Sequence, residues 1–298
     1  MAAQIISGTD VARAIREEVA EKTRSASQAR GRVPGLATVL VGEDPASQAY
    51  VRMKNRDAEE VGFRSRQIDL VASTSEDELL GWVEGLNSDP EIDGILVQLP
   101  LPAQIREGRI LSAIDPAKDV DGFNPVNVGR LSAGDPGVLA PCTPSGIVEL
   151  LVRGGHDPAG RHVVIVGRSN IVGKPMASLL LGRGRGGNAT VTVAHSRTRG
   201  LSEVTRTGEI LIVAVGQPEI ITAEMVRPGA VVIDVGVNRV VDPSTEKGYR
   251  LTGDVEFVGV SEVASAITPV PGGVGPMTRA MLLANTLSAY LASEDPAE

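Results

Sequence analysis

Six short apolar runs constrain the fold of this chain more than any other feature: GLATVLVG, DGILVQLP, HVVIVG, ATVTVA, EILIVAVG and AVVIDVG. Dense in valine and isoleucine and too short for core helices, they read as strands buried on both faces. Amphipathic stretches such as VARAIREEVAEKTRS, SEDELLGWVEGLNSD and KPMASLLLGRG separate them and read as helices. Strand alternating with helix predicts parallel sheets covered on both faces, and the right-handed crossover rule then favours doubly wound topology. At 298 residues the chain has room for two such domains.

The rhythm breaks between about Ile114 and Pro141, where DPAKDVDGFNPVNVGRLSAGDPGVLAPC shows no clear periodicity. A long irregular segment in a compact protein reads as a functional loop or a crossing between domains. After it, Thr143 and Pro144 suit the cap and first turn of a helix, PSGIVELLVRGG. The expected α/β architecture is an N-terminal α/β domain over residues 1–140 and a Rossmann-type doubly wound parallel sheet over 141–275, with an interdomain cleft. A C-terminal helix over 276–298 follows a Gly/Pro loop and is expected to pack back on the first domain, while GRGRGG, from Gly182 to Gly187, reads as a flexible turn.

Composition narrows the function classes. A net charge of −8 and only one Trp, three Tyr and three Phe argue against a nucleic-acid partner. Cys142 is the only cysteine, which excludes an intramolecular disulfide and a cysteine-rich metal site. Its setting, PCTPSG, reads as a loop before a helix and favours a packed small hydrophobe over a nucleophile. His156, His162 and His195 show no metal-ligand spacing, so no metal is expected. No apolar run approaches a membrane span, and the opening MAAQIISGTD lacks a signal-peptide pattern, so the expectation is a cytoplasmic enzyme without a membrane partner.

Candidate chemistry concentrates in two places. DPASQAYVRMKNRDAEEVG reads as a helix capped by Asp44 with Pro45 at its first position. Tyr50 and Lys54 stand four apart on one face of it, so an aromatic plate and an amine can address one flat substrate. A solvated surface lysine is the bland alternative. Farther on, HVVIVGRSNIVGKPMA reads as strand, turn and helix: Gly167 fits the first glycine of a dinucleotide fingerprint, Ser169 replaces the second, and Gly173 falls one position late. The next strand ends in His195, Ser196 and Arg197 with no acid to bind a ribose 2′-hydroxyl. Ser196 and the guanidinium groups of Arg168 and Arg197 would instead accept a 2′-phosphate, which favours NADP.

Four further segments fall into order: DPASQAYVRMK with Tyr50 and Lys54, VQLPLP with Gln98, KDVDGFNP with Asp121, and PVPGGVGPMT with Gly272, Gly273 and Thr278. With GRSNIVGKP, HSRT and AVGQP they resemble, over nearly the whole chain, the methylenetetrahydrofolate dehydrogenase/methenyltetrahydrofolate cyclohydrolase family in its bacterial bifunctional form. The resemblance implies a homodimer that oxidises 5,10-methylenetetrahydrofolate with NADP and hydrolyses the methenyl cation to 10-formyltetrahydrofolate. Carried over motif by motif, it makes Lys54 the catalytic residue, assisted by Gln98 and Tyr50, with Asp121 on the pterin edge and Gly272 and Gly273 at the folate. For the cofactor it implies Gly167, Arg168, Ser169, Ile171, Gly173 and His195, and beyond them Ser196, Arg197, Gly216, Val235, Val237 and Thr278. The chain departs from the family pattern in its long glycine-rich turn before ATVTVA and in Ala194, where the family often has cysteine.

The residue types suit both steps. Substrate nitrogen lone pairs expel the hydride, so the protein chiefly has to orient the reactants. Hydrolysis needs a group that moves protons near neutrality, and a lysine amine serves when a neighbouring cation, here the substrate, disfavours its positive charge. Two other readings stay open at this stage: an NADP-dependent hydroxy-acid dehydrogenase of shikimate-dehydrogenase type, and a non-catalytic folate- or nucleotide-binding protein.

Overall fold

The computed structural model describes residues 3–245 and 248–293. It divides into two compact units, unit one comprising Met1–Ala12 and Thr143–Thr278, unit two Arg13–Cys142 and Arg279–Glu298. The junctions thus lie at 142/143 and 278/279 rather than at 140 and 275. The first twelve residues also depart from the expected division. Strand β1 (Gln4–Ile5) pairs in parallel with a strand near residue 266, and this pairing draws the N-terminus into unit one before helix α1 (Gly8–Arg30) continues into unit two.

Unit two is built on β2 (Gly35–Val41), which is buried along its whole length because it pairs on both sides. Helix α2 (Pro45–Glu60) follows, then β3 (Arg64–Leu70), α3 (Glu76–Ser88) and β4 (Gly94–Val97), in a parallel sheet of order β3-β2-β4. Ala37, Val39 and Val41 of β2 pack with Ile95 and Val97 against Leu79, Val83 and Leu86 of α3. Sequence patterning missed β3, whose residues RSRQIDL are mostly exposed at the sheet edge. At the N-terminal ends of β2 and β4, Asp93, 3% exposed, accepts two hydrogen bonds from the Arg32 guanidinium, at 2.8 and 2.9 Å, and one from the Gly35 N–H at 2.8 Å.

Helices α4 (Glu107–Ala113) and α5 (Pro125–Ala133) complete the first part of this unit. The stretch expected to be irregular therefore contains a helix, whose N-cap is Asn124: its side chain accepts the Val126 N–H at 2.8 Å. Repeated Gly and Pro hid so short a helix from a periodicity search.

In unit one α6 (Cys142–Arg153) leads into β5 (His162–Val166), α7 (Gly173–Leu181), β6 (Thr190–Ala194), α8 (Leu201–Thr205), β7 (Ile210–Val213) and β8 (Val231–Asp234). An antiparallel hairpin, β9 (Asn238–Val241) and β10 (Tyr249–Thr252), precedes α9 (Phe257–Val263), β11 (Ala266–Ile267) and α10 (Val274–Ala292). Six strands pair in parallel in the order β1-β11-β8-β7-β5-β6. Chain progression runs one way from β5 to β6 and the other way from β5 to β7, so the doubly wound sheet has its switch point at β5. The first residue of α6 is Cys142, so the expected loop before this helix is its first turn. The GRGRGG segment is a packed turn: a Cβ on Gly186 would lie 2.3 Å from Val148 Cγ1.

The helix expected over 276–298 is observed as Val274–Ala292, and residues 294–298 lie outside the described residues. From Arg279 onward it belongs to unit two, where buried Tyr290 donates its hydroxyl to Arg32 O at 2.8 Å beneath the Arg32 guanidinium. Among the described residues no helix is long and apolar enough to cross a membrane.

The start of α2 is set by Asp44, whose carboxylate accepts the Ser47 N–H at 2.7 Å, with Pro45 at the first turn. Replacing a cap of this kind by alanine removes about 1 kcal/mol. Asp44→Ala should lower the unfolding free energy by that amount, read in urea as a lower midpoint at an unchanged slope; an unaltered midpoint would show that the cap contributes nothing.

Candidate active site

In unit two, Lys54 Nζ donates to Gln98 Oε1 at 3.0 Å, and Gln98 Nε2 donates to Leu99 O at 2.7 Å. With both ends of the amide engaged, its oxygen faces the amine. Gln98 directly follows β4 and its own N–H donates to Val39 O at 2.9 Å, so the sheet ladder fixes its backbone. Helix α2 is held in rotation by the residue after Lys54: Thr38 Oγ1 donates to Asn55 Oδ1 at 2.9 Å, and Asn55 Nδ2 donates to Gln67 Oε1 at 2.6 Å. Lys54 itself is partly buried, whereas Tyr50, one turn earlier, is 47% exposed and presents its ring at the surface.

Asp121 follows a segment that runs beside β4, where Ile95 and Asp119 form a parallel bridge. The turn-organising carboxylate there is Asp119, which accepts the N–H groups of Gly122, Phe123 and Asn124 and the Asn127 amide. Asp121 is therefore not spent on capping the turn. Asn285 braces the loop, donating to Val120 O at 2.8 Å and Ala140 O at 2.9 Å. Burial raises the Asp121 carboxyl above the usual carboxylate range, while the Lys54 ammonium and the Cys142 thiol oppose that rise. Cys142 is 2% exposed, and burial together with Asp121 pushes its thiol well above its ordinary value. So placed, it is a packed thiol rather than a nucleophile.

A second cluster lies within unit one, at the C-terminal ends of β5, β6 and β7. There Gly167, Arg168, Ser169, His195 and Ser196 line a cavity of about 570 Å³. Thr198, Ala214, Val215 and Gln217 also line it; they fall in the HSRT and AVGQP motifs but were not singled out as contacts, while Leu201 and Ile220, in the same lining, carry no motif signal. Gly167 has φ +134°, and a Cβ there would lie 2.3 Å from Ala214 O. A Cβ on Gly173 would lie 2.2 Å from Gly167 O, so this glycine permits the close strand–helix approach despite its late position. Ser169 Oγ accepts the N–H groups of Val172 and Gly173 at 3.1 and 3.4 Å, leaving the hydroxyl proton for another acceptor. The lining contains no Asp or Glu.

Other expected residues stand apart from this lining. Ile171 is 48% exposed, and Gly173, Arg197, Gly216, Val235 and Val237 fall outside the lining residues. Thr278 shares a hydroxyl hydrogen bond with Thr143 at 2.9 Å. Gly272 has φ +102° and its carbonyl accepts the Thr9 N–H at 3.1 Å; a Cβ on Gly8 would strike Gly273 O at 1.7 Å. These contacts belong to unit one. Among the described residues, no group of three or more His, Cys, Asp or Glu side chains could hold a metal ion.

Sequence reading also missed a buried pair of acids. Asp234, 4% exposed, ends β8 and accepts the N–H groups of Gly236, Asp254 and Val255. The only sequence signal was an acid inside the apolar run AVVIDVG.

Two family models match the chain, one described as tetrahydrofolate dehydrogenase/cyclohydrolase, catalytic domain, over residues 6–121, the other as the NAD(P)-binding domain over residues 141–294. The chain is 54% identical over 292 residues to the bifunctional protein FolD of Prosthecochloris aestuarii, covering 98% of this chain and 99% of that protein. It superposes on the Campylobacter jejuni FolD methylenetetrahydrofolate dehydrogenase/cyclohydrolase with a TM-score of 0.91, at 45% identity over 98% and 100% of the two chains. A Trypanosoma brucei FolD, complexed with NADP and an inhibitor, also gives 0.91, at 42% identity over 98% and 99%.

Burial, then repulsion from Asp254 against the lowering hydrogen bonds, pushes the Asp234 carboxyl from 3.8 to about 7. A raised carboxyl stabilises the fold while protonated in both states; that stabilisation falls away between pH 3.8 and about 7. Asp234→Asn, which mimics the protonated form, should flatten the decline in unfolding free energy across this window. Parallel wild-type and variant curves in a pH series of denaturant titrations would contradict the assignment.

Proposed function

Because the chain belongs to the tetrahydrofolate dehydrogenase/cyclohydrolase family, we infer that it oxidises 5,10-methylenetetrahydrofolate with NADP and hydrolyses the methenyl product to 10-formyltetrahydrofolate. The observation that carries the catalytic assignment is the Lys54–Gln98 hydrogen bond at 3.0 Å. The hydroxy-acid dehydrogenase and non-catalytic alternatives give way to the family match, which extends over both units.

The cofactor residues suit NADP. Gly167 leaves a cradle that a Cβ would fill, Ser169 retains a hydroxyl proton, and Arg168 with Ser196 offers a phosphate-binding edge free of carboxylates. Bound there, NADP supplies the oxidant that accepts hydride from the bridging carbon. The task left to the chain in that step is orientation.

For hydrolysis, Lys54 is the group that moves the proton between attacking water and departing nitrogen, and Gln98 holds its amine in place. Tyr50 covers the flat substrate with an exposed ring. Asp121 accepts adjacent pterin N–H groups, for which its carboxylate must be ionised. Its raised pKa gives the sign: folate binding weakens as pH falls through that value. Gly272 and Gly273 are assigned to the folate site, and Ile171, Gly173, His195, Arg197, Gly216, Val235, Val237 and Thr278 to the NADP site, on their motifs. The same reading takes the protein as a cytoplasmic enzyme acting on tetrahydrofolate derivatives without membrane partners, and as a homodimer because the family resemblance implies one; its acidic balance disfavours a nucleic-acid partner.

Assaying NADP reduction with methylenetetrahydrofolate, followed by product analysis, tests the activity. Lys54→Met should lose hydrolysis by about 10²–10⁴-fold, the range for a positioned proton-transfer group, and accumulate methenyl substrate while some hydride transfer persists. Normal formyl production by that variant contradicts the role of Lys54. Asp121→Ala should weaken folate binding by about tenfold or more, the loss of a charged hydrogen-bond acceptor, with little change for NADP. Separate titrations of the two ligands read the difference.

A further inference from the structure

Two loops at the C-terminal edge of the unit-one sheet meet on one buried carboxylate. Asp254, fully buried, accepts the N–H groups of Val215 at 2.7 Å, Gly216 at 2.9 Å and Gln217 at 2.9 Å. Its Oδ1 also accepts the side-chain amide of Asn238, the first residue of β9, at 2.9 Å. Residues 214–217 follow β7, and Ala214, Val215 and Gln217 line the nucleotide cavity. Residues 235–237 follow β8 and carry the expected cofactor contacts Val235 and Val237.

The fit around this carboxylate admits little else. A Cβ on Gly236 would lie 2.2 Å from the Asp254 carboxyl carbon, and one on Gly253 would lie 1.7 Å from Asp234 Oδ2. Asp234 accepts the backbone N–H of Asp254 at 2.9 Å and that of Gly236 at 3.0 Å, so it fixes the residue from behind. Three successive backbone N–H groups directed at one carboxylate oxygen pair form a nest whose shape depends on the anion inside it. Here the anion is part of the protein, and the nest is the wall of the cavity.

We propose that Asp254 is the positioning residue of the nucleotide cavity: its carboxylate, backed by Asp234, sets the loops after β7 and β8 in the geometry that receives NADP. The proposal rests on the NADP reading above. It assigns Asp254 no contact with the cofactor and no proton transfer. Removing its charge should therefore change cofactor binding without changing the hydrolysis assigned to Lys54 in unit two.

The test is Asp254→Asn, which keeps the shape but turns one acceptor into a donor facing backbone N–H groups. The dissociation constant for NADP, by calorimetry, should rise about tenfold or more, with the KM for NADP rising in step. The KM for methylenetetrahydrofolate and the nucleotide-free hydrolysis of methenyltetrahydrofolate should stay within about twofold, below the tenfold that 1.4 kcal/mol produces. A folded variant that binds NADP as tightly as wild type overturns the proposal, as does an equal loss in hydrolysis. Should Asp254→Asn fail to fold, Asn238→Ala decides: it removes one donor and leaves the carboxylate, and should weaken NADP binding about threefold, from loss of a hydrogen bond near 0.6 kcal/mol. Unchanged binding there overturns the proposal. Wild-type protein that does not bind NADP overturns the dehydrogenase reading itself, whereas equal binding by wild type and variant counts against Asp254 alone.

Discussion

The chemistry proposed for this chain depends on one hydrogen bond, from the amine of Lys54 to the amide oxygen of Gln98. Each partner is fixed by regular structure rather than by a loop: Gln98 by the ladder extending β4, Lys54 by a helix locked through Asn55 to β2 and β3. A flexible lysine has much rotamer freedom to lose, and the amide acceptor is what holds it in one place. Asp121 adds a carboxylate nearby, raised by burial and restrained by the Lys54 charge. An amine and a carboxylate thus occupy one electrostatic neighbourhood.

Unit one solves a different problem, that of receiving a polyanion. Its cavity lies at the switch point of a parallel sheet, where successive strand-end loops diverge and leave room for a ligand. Glycine is required at Gly167 and Gly173 because backbone approaches backbone there, at distances no side chain tolerates. Acids are kept out of the lining, yet two sit just behind it, satisfied by backbone N–H groups of the loops they shape. Negative charge in that position organises the wall without facing the ligand.

Much of this architecture could be read from the residues. Strands buried on both faces announce themselves as apolar runs, and the helix carrying Lys54 was readable from its Asp-Pro start. The edge strand β3 was not, because its polar sequence reflects an exposed edge. Nor were the two-residue strands β1 and β11, which exist only through their parallel neighbours. At the candidate site, motif residues such as Lys54, Gln98 and Ser169 were found, while Asn55, Asn285 and Asp254 were not. These act through long-range contacts, and no local pattern distinguishes them from surface polar residues.

The most direct measurement is ring opening of 5,10-methenyltetrahydrofolate by the wild-type chain with no nucleotide present, followed optically against a protein-free control. If the Lys54–Gln98 pair moves the proton, opening exceeds the buffer rate by orders of magnitude and yields 10-formyltetrahydrofolate. A rate equal to the control, in protein that still reduces NADP with the methylene substrate, would contradict the account.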